Sequence, residues 1–383
     1  MSKLGTVKWK YYINYVAVAI VAIVFGALSF GGMLPSSTLY LLEKIAIAII
    51  LAVSLSMVVG FLGELSLGHA GFMCMGAYLG GKCSAILEPV FKGMPAGKEL
   101  ALVISLIVGG VVAALAGVVI GLPALRLKGD YLAIVTLAFG EIVRSIFMNT
   151  STESFGGALG LSTPRYNKSY LFIIAFVLVL ACLAVTQNLI RSKHGRAITA
   201  IRDNEIAARA TGINVTKYKL AVFTVSSLFA GIAGVLYSYS NYNVQSAKFS
   251  YNYSIEILVM VVLGGMGNIN GSIIAATLIT YLDNTLQTVL TGDLAVLQDL
   301  LYALILIVIV IYNNAPALKN FRERVNIKNL VAKIIKSKSD PALQLDDEHK
   351  WDRVPTKIEM NEVLSVDLQP QMSTVDPDKK EGK

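Results

Sequence analysis

Long apolar runs separated by short polar connections dominate the first 313 residues of the chain. A transmembrane helix needs about 20 apolar residues to cross a bilayer, and most of the runs reach that length. The runs predict spans near residues 11–30, 39–60, 70–88, 100–122, 131–149, 169–190 and 218–240, an interrupted region at 254–290 and a last span at 297–313. The pattern therefore predicts an all-α polytopic membrane protein with about 9–10 membrane segments in a transmembrane domain at 1–315. Residues 316–383 are polar and charged, and we expect a largely disordered cytoplasmic tail there.

The interrupted region contains a glycine-rich break. The apolar stretch 255–263 rises only about 13 Å as a helix, less than half of the roughly 30 Å apolar core of a bilayer, before the glycines of 264–271. The break predicts a half-helix that ends inside the bundle and a second helix from about Ser272. A similar glycine-rich stretch occupies 60–69. Paired breaks can line a transport path, but glycines also allow close helix packing, and the pattern leaves both interpretations open. The candidate path or gate residues in the two breaks are Glu64, Ser66, Gly68, His69, Gly264, Gly265 and Gly267.

Composition supports the membrane interpretation and orients the chain. Hydrophobic residues make up 55% of the sequence and charged residues 15%, which is too little charge to cover a soluble domain of 383 residues. The net charge of +8 does not indicate nucleic-acid binding, because the basic residues lie mostly in connections between apolar runs. Seven of them fall within 191–219, which predicts that this connection is cytoplasmic. Counting spans from there places both termini in the cytoplasm and the loops 89–99 and 150–168 outside.

Few side chains have the types and spacing that chemistry requires. The three cysteines and three histidines show no metal-ligand spacing, and no catalytic motif is present. We therefore expect a protein that is not an enzyme and has no catalytic residues, metal or cofactor. Glu141 and Arg144 are three residues apart in a predicted span, where charges usually pair or face a polar cavity. They form either a structural pair or a gate that touches a zwitterionic substrate, and His69 is likewise either structural or part of a path.

The connection 191–217 is long for a loop between two helices. Residues 197–210 have high helix propensity, and Gly212 supplies a stop signal. We therefore expect a short amphipathic helix on the cytoplasmic side, where its natural role is to dock onto a partner protein.

The same connection resembles a known family. The run Glu-Ile-Ala-Ala at 205–208, followed by Gly212, resembles the coupling-loop motif of ABC importer permeases, in which a Glu-Ala-Ala-like helix ends at a glycine. Further blocks similar to the LivM-type permeases of branched-chain amino acid importers occur at 63–70, 127–137, 139–144 and 264–267. The resemblance covers residues 40–313. Two features depart from it: Glu64 stands where many relatives have Gln, and the tail beyond 325 is longer than the family core requires.

The resemblance implies a function and a set of partners. The chain would be a multi-pass permease subunit of the cell membrane of a prokaryote, translocating leucine, isoleucine and valine by alternating access. Its partners would be a LivH-like second permease subunit, two cytoplasmic ABC ATPases that supply the energy, and an extracytoplasmic substrate-binding protein. The residues implied in coupling to the ATPase are Arg202, Glu205, Ala207, Ala208 and Gly212.

Two alternatives remain at this point. Permeases for urea or short-chain amides have closely similar glycine-rich blocks, so the substrate is open. An ion-coupled secondary transporter also uses broken helices, but it has no need for an ordered cytoplasmic helix at 197–210.

Overall fold

The computed structural model describes residues 13–31, 34–91, 93–94, 96–127, 129–164, 166–289, 303, 304 and 307. These residues belong to one compact unit that extends to residue 313. Nearly all of the predicted last span at 297–313, and the whole of the tail at 316–383, lie outside the described residues. The domain boundary at 315 therefore stays a prediction.

The described part of the chain is a helical bundle. Its first half contains α1 (Ile13–Phe30), α2 (Ser36–Ser56) with a π-helical extension (Met57–Leu62), α3 (His69–Met75), a second π-helical turn (Gly76–Gly80), α4 (Gly81–Val90), α5 (Gly97–Ala124) and α6 (Asp130–Asn149). Its second half contains α7 (Thr152–Phe155), a 3-10 turn (Gly157–Leu159), β1 (Leu161–Ser162), α8 (Lys168–Arg191), α9 (Lys193–Asp203), α10 (Glu205–Ala210), α11 (Val215–Asn241), β2 (Asn243–Val244), a 3-10 turn (Ser246–Phe249), α12 (Tyr251–Gly264) and α13 (Ile269–Val289).

The predicted all-α membrane fold is confirmed. Among the described residues, five helices are long and apolar enough to cross a membrane: Ser36–Leu62, Gly97–Ala124, Asp130–Asn149, Tyr170–Arg191 and Val215–Asn241. Two shorter apolar helices cover Val18–Ser29 and Tyr251–Gly264. The span predicted at 70–88 folds as α3 and α4 joined by a π-helical turn.

Helix α5 carries a continuous exposed apolar face. Val103, Ile107, Val111, Leu115 and Val119 recur every four residues along one face, and all five side chains are exposed. The opposite face carries small residues and packs along α11. Because an unbroken exposed apolar stripe of this length would be unfavourable in water, the stripe indicates a lipid-facing surface.

Helix α2 lies at the centre of the bundle. It packs against α8, α11, α12 and α13, and nearly every residue from Ile45 to Val59 is buried. A helix that is apolar all round is expected to be enclosed by other helices. A displacement of the end of α2 near Gly60 would therefore shift side chains that pack against four other helices.

The glycine-rich break predicted after residue 263 is present, with different helix limits. Helix α12 begins at Tyr251, so it has 14 residues and rises about 21 Å, and α13 begins at Ile269 rather than near 272. The turn between them uses Gly265 and Gly267 with φ of +88° and +79°, a conformation that favours glycine. The depth of this break in a membrane stays a prediction.

Several connections meet on the face opposite the 191–214 connection. Strands β1 and β2 pair antiparallel, with Leu161 opposite Val244. Lys98 lies 3.6 Å from Glu88, and the Tyr166 hydroxyl donates to Glu99 at 3.4 Å. Helix α11 spans the distance from the 191–214 connection to β2, so the loops 89–99 and 150–168 share a face, as the span count predicts.

Candidate transport and coupling site

The connection between α8 and α11 is a capped two-helix unit rather than the single helix predicted at 197–210. Three N-cap residues organise it: Ser192 Oγ accepts from the His194 amide at 3.1 Å, Asn204 Oδ1 from Ala207 at 3.0 Å, and Asn214 Oδ1 from Lys217 at 3.1 Å. Asn204 has an extended backbone, with φ of −157°, which separates α9 from α10. Since an N-cap residue lies outside the helix that it caps, Asn204 ends one helix and starts the next.

Gly212 ends α10 as the sequence predicts. The Gly212 amide donates to Arg209 O and the Ile213 amide to Ala208 O, both at 3.1 Å, and Gly212 has φ of +85°. These two bonds define a Schellman motif, in which glycine is the preferred left-handed residue. The loop is therefore ordered at every helix end.

The faces of α9 and α10 differ in polarity. Ile198, Ile201 and Ala208 are buried against the bundle. Ile206, in contrast, is 76% exposed, and Ala207 beside it is also exposed. An exposed apolar side chain on a short, well-capped helix indicates a surface suited to protein contact.

Lys219 connects this loop to the first glycine-rich break. Its side chain is only 4% exposed, and its Nζ donates to Glu64 and, at 3.2 Å, to Glu205 Oε2. Glu205 Oε1 in turn accepts from Arg209 at 2.8 Å. A buried ammonium needs such partners, because desolvation of an unpaired charge is costly. The pairing joins α11, α10 and the segment that follows α2.

Arg202 makes a second connection between the same elements. Its Nη1 donates to Gly60 O at 3.3 Å, which satisfies a carbonyl at the end of α2, and it forms an ion pair with Asp203 at 2.9 Å. Its aliphatic stem covers Gly63, where a Cβ would lie 2.6 Å from Arg202 Cγ. A cation at a helix C-terminus also interacts favourably with the helix dipole.

The two glycine-rich breaks touch each other at this point. A Cβ on Gly60 would overlap the backbone of Gly267, so the Gly60 end of α2 and the α12–α13 turn are in backbone contact. Gly264 and Gly271 approach each other equally closely within the hairpin. Of the predicted residues, the structure therefore brings together Glu64, Arg202, Glu205 and Gly267.

The extended segment 63–68 is held by side-chain hydroxyls of neighbouring helices. The Leu67 amide donates to Thr136 Oγ1 at 3.0 Å, and the Ala70 amide, in the first turn of α3, donates to Ser254 Oγ at 3.2 Å. Ser66 is fully buried, and Gly68 lies against Thr136. The backbone of this segment is therefore tied to α6 and α12.

His69 is buried where α2, α3 and α11 meet. Its Nε2 lies 3.3 Å from Ser54 Oγ and 3.1 Å from Ser226 Oγ, and 1% of the residue is exposed. Among the described residues, no hydrogen-bond partner faces Nδ1. The surroundings are those of a packed, hydrogen-bonded residue, and a role for His69 in a path stays a prediction.

Glu141 and Arg144 form the predicted pair, separate from the ion pairs of Lys219 with Glu64 and Glu205. Arg144 Nε donates to Glu141 Oε2 at 2.8 Å, and each side chain is 28% exposed. The other oxygen, Glu141 Oε1, accepts from the Tyr251 amide at 2.8 Å. Glu141 thus places a negative charge at the N-terminus of α12, which is favourable for a helix. This contact gives Glu141 a structural role, and a gating role stays a prediction.

Lys219 is the residue that sequence reasoning missed. It enters the sequence argument only through the count of basic residues in 191–219. One signal was present: a lysine at the start of an apolar span needs a partner, and Glu64 supplies it.

A helical bundle with membrane-spanning helices, two glycine-rich breaks in contact and an ordered polar loop bonded to one of them has the architecture of a polytopic membrane permease. The sequence model of the family described as "Branched-chain amino acid transport system / permease component" matches residues 37–310. The chain belongs to this family.

Its relatives agree with this assignment. It is 35% identical over 307 residues to the high-affinity branched-chain amino acid transport system permease protein LivM of Salmonella typhimurium, covering 72% of this chain and 68% of the relative. It is 34% identical over 361 residues to LivM of Escherichia coli, covering 86% and 79%. The ribose import permease protein RbsC of Escherichia coli is 26% identical over 299 residues, covering 72% and 84%. No solved structure matches significantly.

Proposed function

We propose that this chain is one of two permease subunits of an ATP-driven importer of branched-chain amino acids in a prokaryotic cell membrane. The family and the LivM relatives support this proposal. A LivH-like second permease, two cytoplasmic ATPases and an extracytoplasmic binding protein would complete the assembly. Both termini would lie in the cytoplasm, on the side of the strongly basic 191–219 connection.

One observation supports the mechanism: the 191–214 loop is bonded to the first glycine-rich break, which in turn contacts the second. Lys219 ties α10 to Glu64, and Arg202 ties α9 to Gly60, which is in contact with Gly267. ATPase closure would push α10, and these bonds would transmit the displacement to the inner ends of α2, α12 and α13. A rigid loop acting on the ends of packed helices can switch access from one side to the other.

The exposed apolar side of α10 offers the test. Ile206→Asp puts a charge on a fully helical, 76% exposed position, so the substitution leaves folding intact. It should abolish leucine uptake by cells that lack their own system and express this chain with its partners, because the ATPase contact is lost. Leu159→Asp, at a 73% exposed position on the opposite face, is the matched control and should transport normally.

Uptake of leucine, urea and ribose is followed in parallel, with ATP depletion and with an uncoupler. Uptake of urea or ribose without uptake of leucine would support the permease assignment but show that its substrate is not a branched-chain amino acid. Normal leucine uptake by Ile206→Asp at normal membrane abundance would remove the coupling role of α10. Uptake that survives ATP depletion and stops with the uncoupler would replace the ATP-driven mechanism by ion coupling.

A further inference from the structure

A cleft of about 380 Å³ opens at the end of the bundle opposite the 191–214 loop. It lies between α2, α11, α12 and α13. Tyr40, near the start of α2, donates to Asn241 Oδ1 at 2.7 Å across its wall, and Asn241 is the last residue of α11. The volume falls within the roughly 300–1,000 Å³ typical of small-molecule sites.

The charges that line the cleft are balanced. Lys44 and Lys248 provide two positive charges, and Glu256 and Asp283 provide two negative charges. The charges of Lys248, Glu256 and Asp283 each act electrostatically on the Lys44 ammonium. Among the residues that the structure describes, Lys44 forms no salt bridge, and its ammonium lies 4.9 Å from the centre of the Tyr40 ring.

Apolar side chains form the other part of the lining. Ile47 and Ala48 follow Lys44 along α2, and Phe249 and Met260 face them from the neighbouring elements. A small solute can therefore meet opposite charges and an aliphatic surface within one cleft. A solute that carries both signs of charge complements such a lining better than one that carries a single sign.

We propose that this cleft binds the zwitterion of an amino acid with an aliphatic side chain. Its α-carboxylate would lie against Lys44, its α-ammonium against Asp283 and Glu256, and its side chain against Ile47 and Met260. This assignment rests on the proposed function and adds the place in this chain where the solute is received.

The path of the helices away from the cleft supports this assignment. Helix α2 runs from Lys44 to Gly60, where Arg202 is bonded. Helices α12 and α13 run from the cleft to the turn at 265–268, which touches Gly60. Three of the helices that line the cleft therefore end where Gly60 contacts the α12–α13 turn, and Arg202 of α9 bonds Gly60, so ATPase closure would change the shape of the cleft.

Protection of a cysteine at the cleft tests binding without relying on transport. Cys74, Cys83 and Cys182 are replaced by alanine, and Gln287→Cys is introduced at an exposed position of the lining. Membranes containing the assembled importer are then treated with a membrane-impermeant maleimide. Leucine at about twice its Kd should slow labelling about threefold, because the rate falls by the factor 1 + [L]/Kd.

Analogues and variants identify the groups that bind. Leucinol lacks the carboxylate and isocaproate lacks the ammonium, so neither should protect at the same concentration. Lys44→Met and, independently, Asp283→Asn should each remove protection by leucine. Lys98→Met, a charge removed on the same face outside this cleft, should keep protection, and a reporter at the exposed Ser162→Cys position should show none.

The outcomes separate this inference from the proposed function. Leucine uptake by the reporter protein without protection at Gln287→Cys would overturn the cleft assignment and leave the importer intact. Protection by leucinol, urea or ribose equal to that by leucine would overturn the zwitterion. Absence of both leucine uptake and protection, in protein of normal abundance, would remove the proposed function and this inference together.

Discussion

Replacing Lys219 by methionine removes the charge that joins the loop to the core while keeping an unbranched side chain. The lysine Nζ contacts Glu64 and Glu205, and all three side chains are largely shielded, with 4%, 13% and 23% exposure. In the wild type the carboxylates of Glu64 and Glu205 share the Lys219 ammonium. In Lys219→Met they face each other without it. We expect the substitution to destabilise the folded permease and to uncouple transport.

The magnitude follows from the burial of the three groups. Removing one partner of a fully buried ion pair costs about 3–5 kcal/mol. Since Glu64 and Glu205 keep some contact with solvent, and Glu205 retains Arg209, the expected loss is about 2–3 kcal/mol. Most of this cost is the unpaired charge on Glu64. The double variant Lys219→Met/Glu64→Gln should therefore be more stable than Lys219→Met alone.

The assay combines stability with transport. The unfolding midpoint in detergent is measured for Lys219→Met, for the double variant and for Lys217→Met, an exposed lysine two residues earlier in the same helix. Lys217→Met should match the wild type. The double variant should recover stability but not leucine uptake, because the bond from α10 to residue 64 is still absent. A Lys219→Met protein as stable as Lys217→Met, or a double variant with full uptake, would refute the reasoning.

Two further predictions concern the close contact in the hairpin and the helix cap. Gly271→Ala places a Cβ on the Gly264 carbonyl and should lower the unfolding free energy by about 1–3 kcal/mol. Gly26→Ala, with open space around it, should be neutral or stabilising. Equal unfolding midpoints for the two variants would contradict the close approach of Gly264 and Gly271. Glu141→Gln keeps an acceptor for the Tyr251 amide but loses its charge. It should lower the unfolding free energy by about 1 kcal/mol and preserve leucine uptake. Loss of uptake in a normally folded variant would instead indicate that Glu141 acts as a gate.

The membrane helices were predictable because their signal is local and repeated. Each run of about 20 apolar residues carries its own evidence, and the bilayer sets the length. The ends of a helix were harder to predict where a single polar residue determines them. Asn204 lies within a run of high helix propensity, yet its side chain bonds the Ala207 amide and divides the predicted helix in two. An asparagine can cap or continue a helix, and the local sequence favours neither strongly enough to decide.

The site was only partly predictable because its bonds join residues far apart in the sequence. Glu64 and Lys219 are 155 residues apart, and Glu141 and Tyr251 are 110 apart. The spacing of Glu141 and Arg144 was sufficient to predict their pairing, because residues three apart meet on one helix face. It could not reveal the second bond of Glu141, which depends on how α6 packs against α12.

That second bond changes what the pair can be used to test. Exchanging Glu141 and Arg144 would preserve a pair that did nothing but neutralise itself. In this fold, however, the exchange places a guanidinium, which only donates hydrogen bonds, against the Tyr251 amide, which also only donates. The exchange should therefore disturb the start of α12 even if neither residue ever meets a substrate. Helix α12 runs from this cap to the turn that contacts Gly60, so Glu141 holds one end of α12 and the Gly60 contact, bonded by Arg202, lies at the other.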